Sequence, residues 1–565
     1  RTRLLSQSSS SLSIFSKGDF VIVSTDDAPA VVMGPVIEVD EYGDTVTIVS
    51  DRKLPLESGG LQKRRAEKID QLFHLDRHES TTVHAIQLSN LVALMNGEER
   101  CSRLRSLLID LEAPSTIKLK SGDVSTVKGV VKGLISGQVA AVVKSLCASD
   151  YALIEGLPGS GKTSTLVALV RSIVALGHTV LVTAYTHSAV DNLLAKIAKD
   201  IRPSQLLRLG KQSSVHPSVQ GLTLESKLAD CSSPQEKYAR AKKILANTPV
   251  VAASSLATAT HSLFSWRRFS ICIVDESSLV LESSLIGALL SSDRFVLVGD
   301  AKQLKPLVQS KEASAEGMST SLFERLITAH SSKHAVTLDK QFRMNRVVSS
   351  VASSLFYDDR LTCANEKVAE ACLNSVHEGY EGRGEERKEV LSSFLTLALD
   401  GSIDNSAVFI DVPSGNEEGK DEMDDSSSST TVSISMGGIV NEREVEVVKK
   451  LIEEFIKRGL PTSSIGVAAV YNKQVDLLRR SIPSGIEVNT VDKWQGRDAE
   501  VIICSLAWTT LHGRKRSELL SDEKRINVAL TRAKYKMIFI GCVRSMREKC
   551  PIVASVIDRV KVVKA

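Results

Sequence analysis

One segment of the chain combines glycines, a lysine and a hydroxyl in the spacing of a phosphate-binding loop. The run GLPGSGKT at 156–163 fits the pattern G-x-x-x-x-G-K-[ST]. It follows the apolar run YALIE and precedes the helical pattern STLVALVRSIVAL, which is the context that the motif requires. Backbone N–H groups of such a loop face phosphate oxygens at the positive end of a helix. We therefore expect Lys162 to reach the β- and γ-phosphates, and the Thr163 hydroxyl to ligate Mg²⁺.

Two acidic residues follow another apolar strand pattern farther along the chain. In the run ICIVDESS at 271–278, the apolar part ends and is followed by Asp275 and Glu276. Such a pair is more often a helix cap, but the phosphate-binding loop upstream favours a catalytic role. We expect Asp275 to hold Mg²⁺ beside the loop, and Glu276 to polarise the attacking water.

Two arginines are candidates to approach the phosphates from other parts of the chain. Phosphoryl transfer spreads negative charge over the γ-phosphate oxygens, and a guanidinium group neutralises that charge. Arg343 lies in QFRM at 341–344, and Arg532 lies in RINVALTRAK at 525–534. A lone arginine is usually a surface charge, so only the motif context singles out these two.

The composition is that of an ordinary globular protein. Its 565 residues are 42% hydrophobic and 24% charged, which excludes fibrous and wholly disordered chains. The length suggests about three or four domains, and no run approaches the ~20 apolar residues of a membrane span. The nine cysteines form no CxxC pair, so we expect reduced thiols and no zinc or iron–sulfur ligand set. The net charge of +4 says little about partners.

The elements that must position these residues form three patterns along the chain. Short alternating β-type runs occupy 16–54, and helical spacing follows at 84–110. From 134 onward, short apolar runs alternate with amphipathic helical patterns, as in parallel sheets buried on both faces. The first series is YALIEGL, TVLVTAY, PVVAAS, ICIVDE and RFVLVGD, and the second is IGVAAV, EVNTV, VIICSL and MIFIG. The sequence thus predicts an α/β fold with two similar lobes.

We predict the following organisation. Residues 1–15 form a disordered tail, 16–80 a small β-barrel, 81–125 a helical stalk, 126–345 a first lobe that binds nucleotide, and 346–565 a second lobe with a low-complexity insertion at about 412–435. Within that insertion, the run SGNEEGKDEMDDSSSST is acidic and serine-rich, which is typical of a solvated segment.

The motifs form an ordered set. They are the phosphate-binding loop, TAYTHSAVDN (183–192), VDESS (274–278), GDAKQLKPL (299–307), QFRM (341–344), VNTVDKWQGRD (488–498) and NVALTRAK (527–534). In this set the chain resembles a superfamily 1 helicase of the 5′→3′ branch. More closely, it resembles the helicase part of the eukaryotic DNA replication ATP-dependent helicase/nuclease. The resemblance implies two RecA-like P-loop lobes with parallel sheets, preceded by the small β-barrel and the helical stalk.

The resemblance also assigns roles to individual residues. Gln138 matches the glutamine that reads the adenine edge, and Tyr471 matches the aromatic residue that stacks on the base. Gln303 matches the residue that couples the γ-phosphate to nucleic acid, while Arg343 and Arg532 match two arginine fingers. The positions expected to bind ATP are Gln138, Gly156, Leu157, Pro158, Gly159, Ser160, Gly161, Lys162, Thr163, Ser164, Tyr471, Gly496 and Arg497. The last two match the QGR motif that joins nucleotide to strand.

A strand-binding face is expected across both lobes, just beyond strand ends. Hydroxyl and backbone N–H groups at such places can follow a phosphate backbone without reading sequence. The candidates are Thr183, Tyr185, Thr186, His187, Ser254, Ser255 and Thr490. Taken singly, each of them is more often a helix cap.

The chain departs from the family at three motif positions. Ser277 stands where alanine is usual, Phe342 where tyrosine is common, and Trp494 where tyrosine or phenylalanine is usual. None of these changes removes a charged or catalytic group. The family's nuclease, with its metal site and four cysteines, has no counterpart before the β-type runs. We expect it to lie upstream of Arg1 or to be absent, and we assign no nuclease activity to this chain.

The resemblance implies an ATP-dependent 5′→3′ DNA helicase that uses Mg²⁺ and acts in replication and repair. Its partners would be single-stranded and tailed duplex DNA and replication or repair proteins, in the nucleus and without a membrane. Two alternatives remain open: an RNA helicase of the nonsense-mediated-decay type, and a nucleotide-gated clamp without enzymatic activity. The 2′-hydroxyl distinguishes the RNA substrate, and no motif here states whether it is tolerated.

Overall fold

The structure is a computed structural model of the 565-residue chain. It describes residues 2–5, 19–24, 32–39, 45–49, 74–77, 82–330, 334–373, 392–413, 434–435, 438–509 and 517–565. The acidic, serine-rich run of the predicted insertion lies outside these residues. No helix in the described ranges is long and apolar enough to cross a membrane.

A small antiparallel sheet precedes the lobes. Its strands are β1 (Thr2–Leu5), β2 (Phe20–Ser24), β3 (Val32–Val39), β4 (Thr45–Ile48) and β5 (His74–Arg77), in the order β1-β4-β3-β2-β5. Alternate valines of β2 are fully buried and pack with Val32 and Val46, as period-two patterning requires. The structure differs from the predicted disordered tail at β1, because its backbone pairs with the free edge of β4. Residues 50–73 of the predicted barrel lie outside the described ranges.

The first lobe contains a seven-stranded sheet in which all described pairings are parallel. Its strands are β6 (Tyr151–Gly156), β7 (Val180–Ala184), β8 (Leu206–Arg208), β9 (Val250–Ser254), β10 (Phe269–Asp275), β11 (Ser292–Gly299) and β12 (Ala335–Leu338), in the order β12-β6-β11-β10-β7-β9-β8. Ile154 and Val182 belong to the core on one face, and Leu153 and Leu181 belong to the core on the other. Burial on both faces explains why these strands are apolar throughout.

The second lobe contains a six-stranded parallel sheet. A two-stranded pair, β13 (Lys340–Gln341) and β14 (Thr362–Cys363), lies between the two large sheets in the chain. The remaining strands are β15 (Ala407–Asp411), β16 (Ile434–Ser435), β17 (Gly438–Ile439), β18 (Ile465–Ala469), β19 (Glu487–Thr490), β20 (Ala499–Ser505), β21 (Ala533–Gly541) and β22 (Lys561–Lys564). The order of the large sheet is β19-β18-β20-β21-β15-β22. The two parallel sheets confirm the predicted α/β fold class.

Helices cover the faces of both sheets and link the strands. The helices of the first part of the chain are Thr82–Leu94, Glu99–Leu108, Ser121–Val130, Ser136–Cys147, Lys162–Ala175, His187–Ile197, Leu224–Lys227, Pro234–Asn247, Ala257–Thr260, Leu263–Trp266, Glu282–Leu290, Lys311–Ala315 and Leu322–His330. Those that follow are Arg346–Phe356, Glu366–Ala369, Ser393–Leu399, Glu442–Lys457, Asn472–Ser481, Glu523–Leu530, Val543–Lys549 and Pro551–Ile557. The helical spacing predicted at 84–110 corresponds to two helices, separated at Met95–Glu98.

Candidate nucleotide-binding and strand-binding site

The phosphate-binding loop connects the end of β6 to the helix Lys162–Ala175. Gly159 and Gly161 have φ angles of 71° and 78°, in the left-handed region that favours glycine. This curvature turns the backbone back over the helix N-terminus, where N–H groups are free to bind an anion. The Lys162 ammonium group donates to the Gly156 carbonyl oxygen at 2.7 Å. The lysine therefore lies folded across the loop.

The loop forms one wall of a cleft between the two lobes, with a volume of about 310 Å³. We call this space the interlobe cleft. It is lined by Leu157, Pro158, Gly159, Ser160, Gly161, Lys162, Thr163, Ser164, Lys196, Glu276, Gln303, Phe342, Arg343, Gly496, Asp498, Arg532 and Lys534. Most residues that the sequence predicted for phosphate binding and catalysis are therefore brought together here.

The two acidic residues lie at the end of β10, as the sequence pattern predicted. Asp275 is the last residue of the strand and its Oδ1 accepts from the Glu276 backbone N–H at 3.0 Å. Desolvation of the carboxylate, and then the charge of Glu276, raise the pKa of Asp275 to about 7. Glu276 lines the cleft with a backbone φ of 49°, a conformation that costs a non-glycine residue energy and is often found at functional sites.

These carboxylates fit a divalent cation. Two acidic side chains close together in a desolvated position favour a neighbouring positive charge, and hard oxygen ligands are the ones that Mg²⁺ prefers. The Thr163 hydroxyl, at the start of the loop helix, lines the same cleft. Within the described ranges, no group of three or more His, Cys, Asp and Glu side chains could hold a metal ion. Asp275 is half-buried at the end of β10 and is not one of the residues that line the cleft. Thr163 and Asp275 are the residues that would hold a cation here.

Arg532 is a buried cation whose protein partners are neutral. The side chain is 2% exposed, and it donates to the carbonyl oxygens of Val528 at 2.8 Å and Trp494 at 3.4 Å, and to the Thr531 hydroxyl at 2.8 Å. Burial, and then the charge of Arg343, lower the pKa of Arg532 to about 9. No carboxylate of the described chain forms an ion pair with it. A buried charge without a counter-ion is costly, so this geometry favours an anionic ligand.

Arg343 reaches the same cleft but has a charged partner. Its guanidinium group lies 3.1 Å from the Asp498 carboxylate and donates to the Thr531 carbonyl oxygen at 2.9 Å. Lys534 binds the other oxygen of Asp498 at 2.9 Å. Burial opposes ionisation of Asp498, but Arg343 and Lys534 outweigh it and hold its pKa below the usual value. Asp498 thereby arranges two cations along one wall of the cleft.

Gln303 connects the cleft to the end of β11. Its amide nitrogen donates to the Asp300 carboxylate at 2.8 Å, and its amide oxygen lies 3.5 Å from the Arg532 guanidinium group. The side chain is buried. Gln303 therefore contacts both lobes, as expected for a residue that senses a phosphate between them.

Four residues predicted to bind nucleotide do not line the cleft. Gly156 is the last residue of β6, and its carbonyl oxygen accepts from Lys162. The Gln138 amide donates to the Ser160 carbonyl oxygen at 3.1 Å, so this residue supports the loop from behind. The Tyr471 hydroxyl is 2.6 Å from the Ser517 hydroxyl, and burial raises the pKa of Tyr471 to about 12. The Arg497 side chain forms an ion pair with Glu487. Only the neighbouring Gly496 of that motif reaches the cleft.

The residues predicted to bind the strand divide into exposed and enclosed groups. Thr183 and Ser255 are fully buried, and in the described part of the chain their hydroxyls have no hydrogen-bond partner. Ser254 is also buried, and Thr490 is half-buried. Tyr185 is 42% exposed.

The exposed segment after β7 begins a helix. The Thr186 hydroxyl accepts from the Ala189 N–H at 3.2 Å and so caps the helix His187–Ile197. The His187 Nδ1 atom lies 3.0 Å from the guanidinium group of Arg208, which is fully buried and bound to Asp191 at 2.6 Å. Because a guanidinium group only donates, Nδ1 must accept and Nε2 must carry the proton. His187 therefore presents an N–H donor away from Arg208.

Sequence reasoning missed four residues that line the cleft: Lys196, Phe342, Asp498 and Lys534. Asp498 and Lys534 stand inside motifs already recognised, directly after QGR and TRA. Their charge was the available signal. Lys196 lies on the helix His187–Ile197 but beyond the end of the TAYTHSAVDN motif at residue 192, so only the folded sheet brings it to the cleft.

Two parallel-sheet lobes with a phosphate-binding loop in the cleft between them define a two-lobed P-loop nucleotide-binding protein. Family models described as "AAA domain" match residues 134–248 and 229–311 in the first lobe, and residues 318–544. Among curated relatives, the DNA replication ATP-dependent helicase/nuclease DNA2 of Bos taurus is 37% identical over 558 residues, covering 95% of this chain and 48% of the relative. The Homo sapiens protein of that name is 37% identical over 549 residues, covering 94% and 48%.

A plant relative extends the same comparison. The Arabidopsis thaliana DNA replication ATP-dependent helicase/nuclease JHS1 is 33% identical over 555 residues, covering 96% of this chain and 38% of the relative. The chain belongs to the DNA replication ATP-dependent helicase/nuclease family. It spans about half the length of the mammalian relatives that it matches.

Proposed function

We propose that this chain is an ATP-driven motor that moves 5′→3′ along single-stranded DNA and unwinds duplexes, as the helicase part of a helicase/nuclease. One observation carries the proposal. The buried Arg532 of the second lobe has only neutral protein partners and faces the same cleft as the phosphate-binding loop of the first lobe. A polyphosphate between the lobes would supply the missing counter-charge and draw the lobes together.

Different residues of the cleft have different roles in hydrolysis. Loop N–H groups and Lys162 bind the β- and γ-phosphates. Glu276 orients and polarises the attacking water, while Arg343 and Arg532 stabilise the charge that develops on the γ-phosphate. Mg²⁺ held by Thr163 and Asp275 would add charge neutralisation. Gln303 contacts both Asp300 and Arg532 and so transmits the change in phosphate charge to both lobes.

Strand movement follows from the alternation of two lobe arrangements. Binding of ATP closes the cleft, and hydrolysis followed by release reopens it. Exposed groups beyond strand ends, such as Tyr185 and His187 in the first lobe, would hold phosphates of the strand. We further propose, from the names of the relatives, that the partners are single-stranded and tailed duplex DNA and replication or repair proteins, in the nucleus.

The test is the rate of ATP hydrolysis with no strand, with single-stranded DNA and with RNA of the same sequence. Strong stimulation by DNA and little by RNA is the expected result, and duplexes with a 5′ or a 3′ tail would then report polarity. Equal or greater stimulation by RNA would assign the chain to an RNA helicase. Strand binding without stimulated turnover would indicate a nucleotide-gated clamp.

A further inference from the structure

Tyr357 is a buried residue whose hydroxyl joins the two lobes. It follows the helix Arg346–Phe356 and is fully buried. Its hydroxyl donates to the Asp300 carboxylate at 2.7 Å and accepts from the Asn527 amide nitrogen at 2.7 Å. Asp300 lies just beyond β11 of the first lobe, whereas Asn527 lies on the helix Glu523–Leu530 of the second lobe.

The direction of these hydrogen bonds is fixed by chemistry. Burial, and then the charge of Asp300, raise the pKa of Tyr357 well above its usual value. The phenol therefore stays protonated, and its O–H group donates a hydrogen bond to the Asp300 carboxylate. The Asn527 amide nitrogen also donates to the Lys302 carbonyl oxygen at 2.7 Å. Because a carbonyl oxygen only accepts, the amide cannot be reversed.

Both ends of this chain of hydrogen bonds reach the interlobe cleft. The Asp300 oxygen that accepts from Tyr357 also accepts from Gln303 at 2.8 Å. Arg532 donates to the Thr531 hydroxyl, which donates to the backbone carbonyl oxygen of Asn527, both at 2.8 Å. Both Gln303 and Arg532 line the cleft. A movement of Gln303 therefore acts directly on the Asp300 oxygen that accepts from the Tyr357 hydroxyl.

The arrangement leaves one group unsatisfied. The Asn527 amide oxygen is buried and has no hydrogen-bond partner within the described part of the chain. A buried acceptor without a donor carries an energetic cost. A different arrangement of the two lobes that supplies a donor to this oxygen would relieve that cost. The network is therefore suited to two alternative states.

We propose that Tyr357 is a positioning residue that couples strand-dependent lobe closure to ATP hydrolysis through Asp300 and Asn527. The inference rests on the proposed motor function and adds a residue outside the recognised motifs. Tyr357 acts by holding the Asp300–Gln303 pair of one lobe against the Asn527 helix of the other. It does not line the interlobe cleft, so its role is to transmit, not to bind the nucleotide.

The test compares Tyr357→Phe with wild type, since this change removes the hydroxyl and keeps the ring. The measured quantity is the ratio of kcat with saturating single-stranded DNA to kcat without DNA. We expect the ratio to fall about ten-fold, because the lost bond is to a charged group in a buried site. Tyr151→Phe is the matched control, since Tyr151 is equally buried and, in the described chain, its hydroxyl has no partner. That control should keep the wild-type ratio.

The outcomes separate the inference from the motor function itself. A wild-type chain that DNA does not stimulate would contradict the motor function. A stimulated wild type with an equally stimulated Tyr357→Phe variant would overturn the role of Tyr357 alone. A merely structural role would lower both rates in proportion and leave the ratio unchanged.

A second variant keeps the test decisive should Tyr357→Phe not fold. Asn527→Ala removes the donor from the second lobe and should lower the same ratio. Because Asn527→Ala also breaks the bond to the Lys302 carbonyl oxygen, the double variant can fall below Tyr357→Phe alone, but by less than the product of the two single effects, since both changes remove the Tyr357–Asn527 bond. Independent losses that multiply in the double variant would overturn the inference.

Discussion

Alanine at Gly466 should displace Trp494, a buried residue of the second lobe. The indole is 1% exposed and donates to the Val467 carbonyl oxygen at 2.9 Å. A Cβ atom on Gly466 would lie 2.3 Å from Cη2 and 2.7 Å from Cζ2 of that indole, and 2.7 Å from Cδ1 of Ile502. The tryptophan thus occupies space that exists only because residue 466 has no side chain.

The expected cost follows from the rigidity of the site. All three contacts are shorter than real Cβ contacts, and the indole cannot rotate away without breaking its hydrogen bond to Val467. Overpacking of a core costs about 1–3 kcal/mol, and we expect Gly466→Ala to lie near the upper end. Trp494→Phe removes the outer ring atoms, so in that background Gly466→Ala should cost less than about 1 kcal/mol.

Thermal unfolding of the four chains of this double-mutant cycle measures the coupling. The matched control is Gly129→Ala, a position in the helix Ser121–Val130 with nothing within 4 Å of an added Cβ, where alanine should be neutral or slightly stabilising. Because Gly496 and Asp498 line the cleft close after Trp494, Gly466→Ala should also raise KM for ATP. Additive changes in midpoint, with no rescue by Trp494→Phe, would refute the steric reasoning.

Substitutions at three further positions probe separate parts of the molecule. Lys162→Ala should abolish ATP turnover but spare DNA binding, and turnover at the wild-type rate would show that the phosphate site is misassigned. By fluorescence anisotropy, His187→Gln should bind single-stranded DNA nearly as wild type does. His187→Asn keeps an acceptor for Arg208 but loses the outward donor, and should bind about ten-fold more weakly; equal affinities would contradict the donor role. Burial lowers the pKa of Lys536 to about 7, so between about pH 7 and 10 the unfolded chain binds more protons and stability should rise with pH. Lys536→Met should flatten that rise, measured as the thermal midpoint at each pH. An unchanged pH dependence would contradict the role of Lys536.

With the exception of β19, which lies at a sheet edge and is partly buried, the strands that could be predicted lie in the interior of the two sheets. All nine apolar runs singled out in the sequence correspond to strands of the two parallel sheets. The sequence pattern missed β8, β12, β15 and β22, of which β8, β12 and β22 lie at sheet edges. An edge strand has one neighbour and is shorter or more polar, as LLR in β8 and KVVK in β22 illustrate. Its position is fixed by pairing with a distant strand, which no local pattern records.

The site shows the same division between local and distant information. The loop, the acidic pair and the two arginines are recognisable because each is a short pattern with its own chemistry. The place of Asp498 in the cleft could not be predicted locally, because it depends on an ion pair with Arg343, which lies 155 positions away in the sequence. The burial of Thr183 likewise depends on neighbouring strands: it pairs in register with Val274 of β10 and with Ala253 of β9. Sequence reasoning therefore located the candidate residues of the cleft better than their surroundings.

Each cationic side chain that the proposed mechanism uses is already held by protein oxygens in this structure. Lys162 binds the Gly156 carbonyl, Arg343 binds Asp498, and Arg532 binds carbonyl and hydroxyl oxygens of its own lobe. A phosphate must compete with these oxygens, and it does so unequally. A neutral carbonyl is a weaker partner for a cation than a phosphate oxygen, so Lys162 and Arg532 should exchange readily. Arg343 must leave or share a carboxylate, and it should therefore be the last of the three to engage, once charge accumulates on the γ-phosphate.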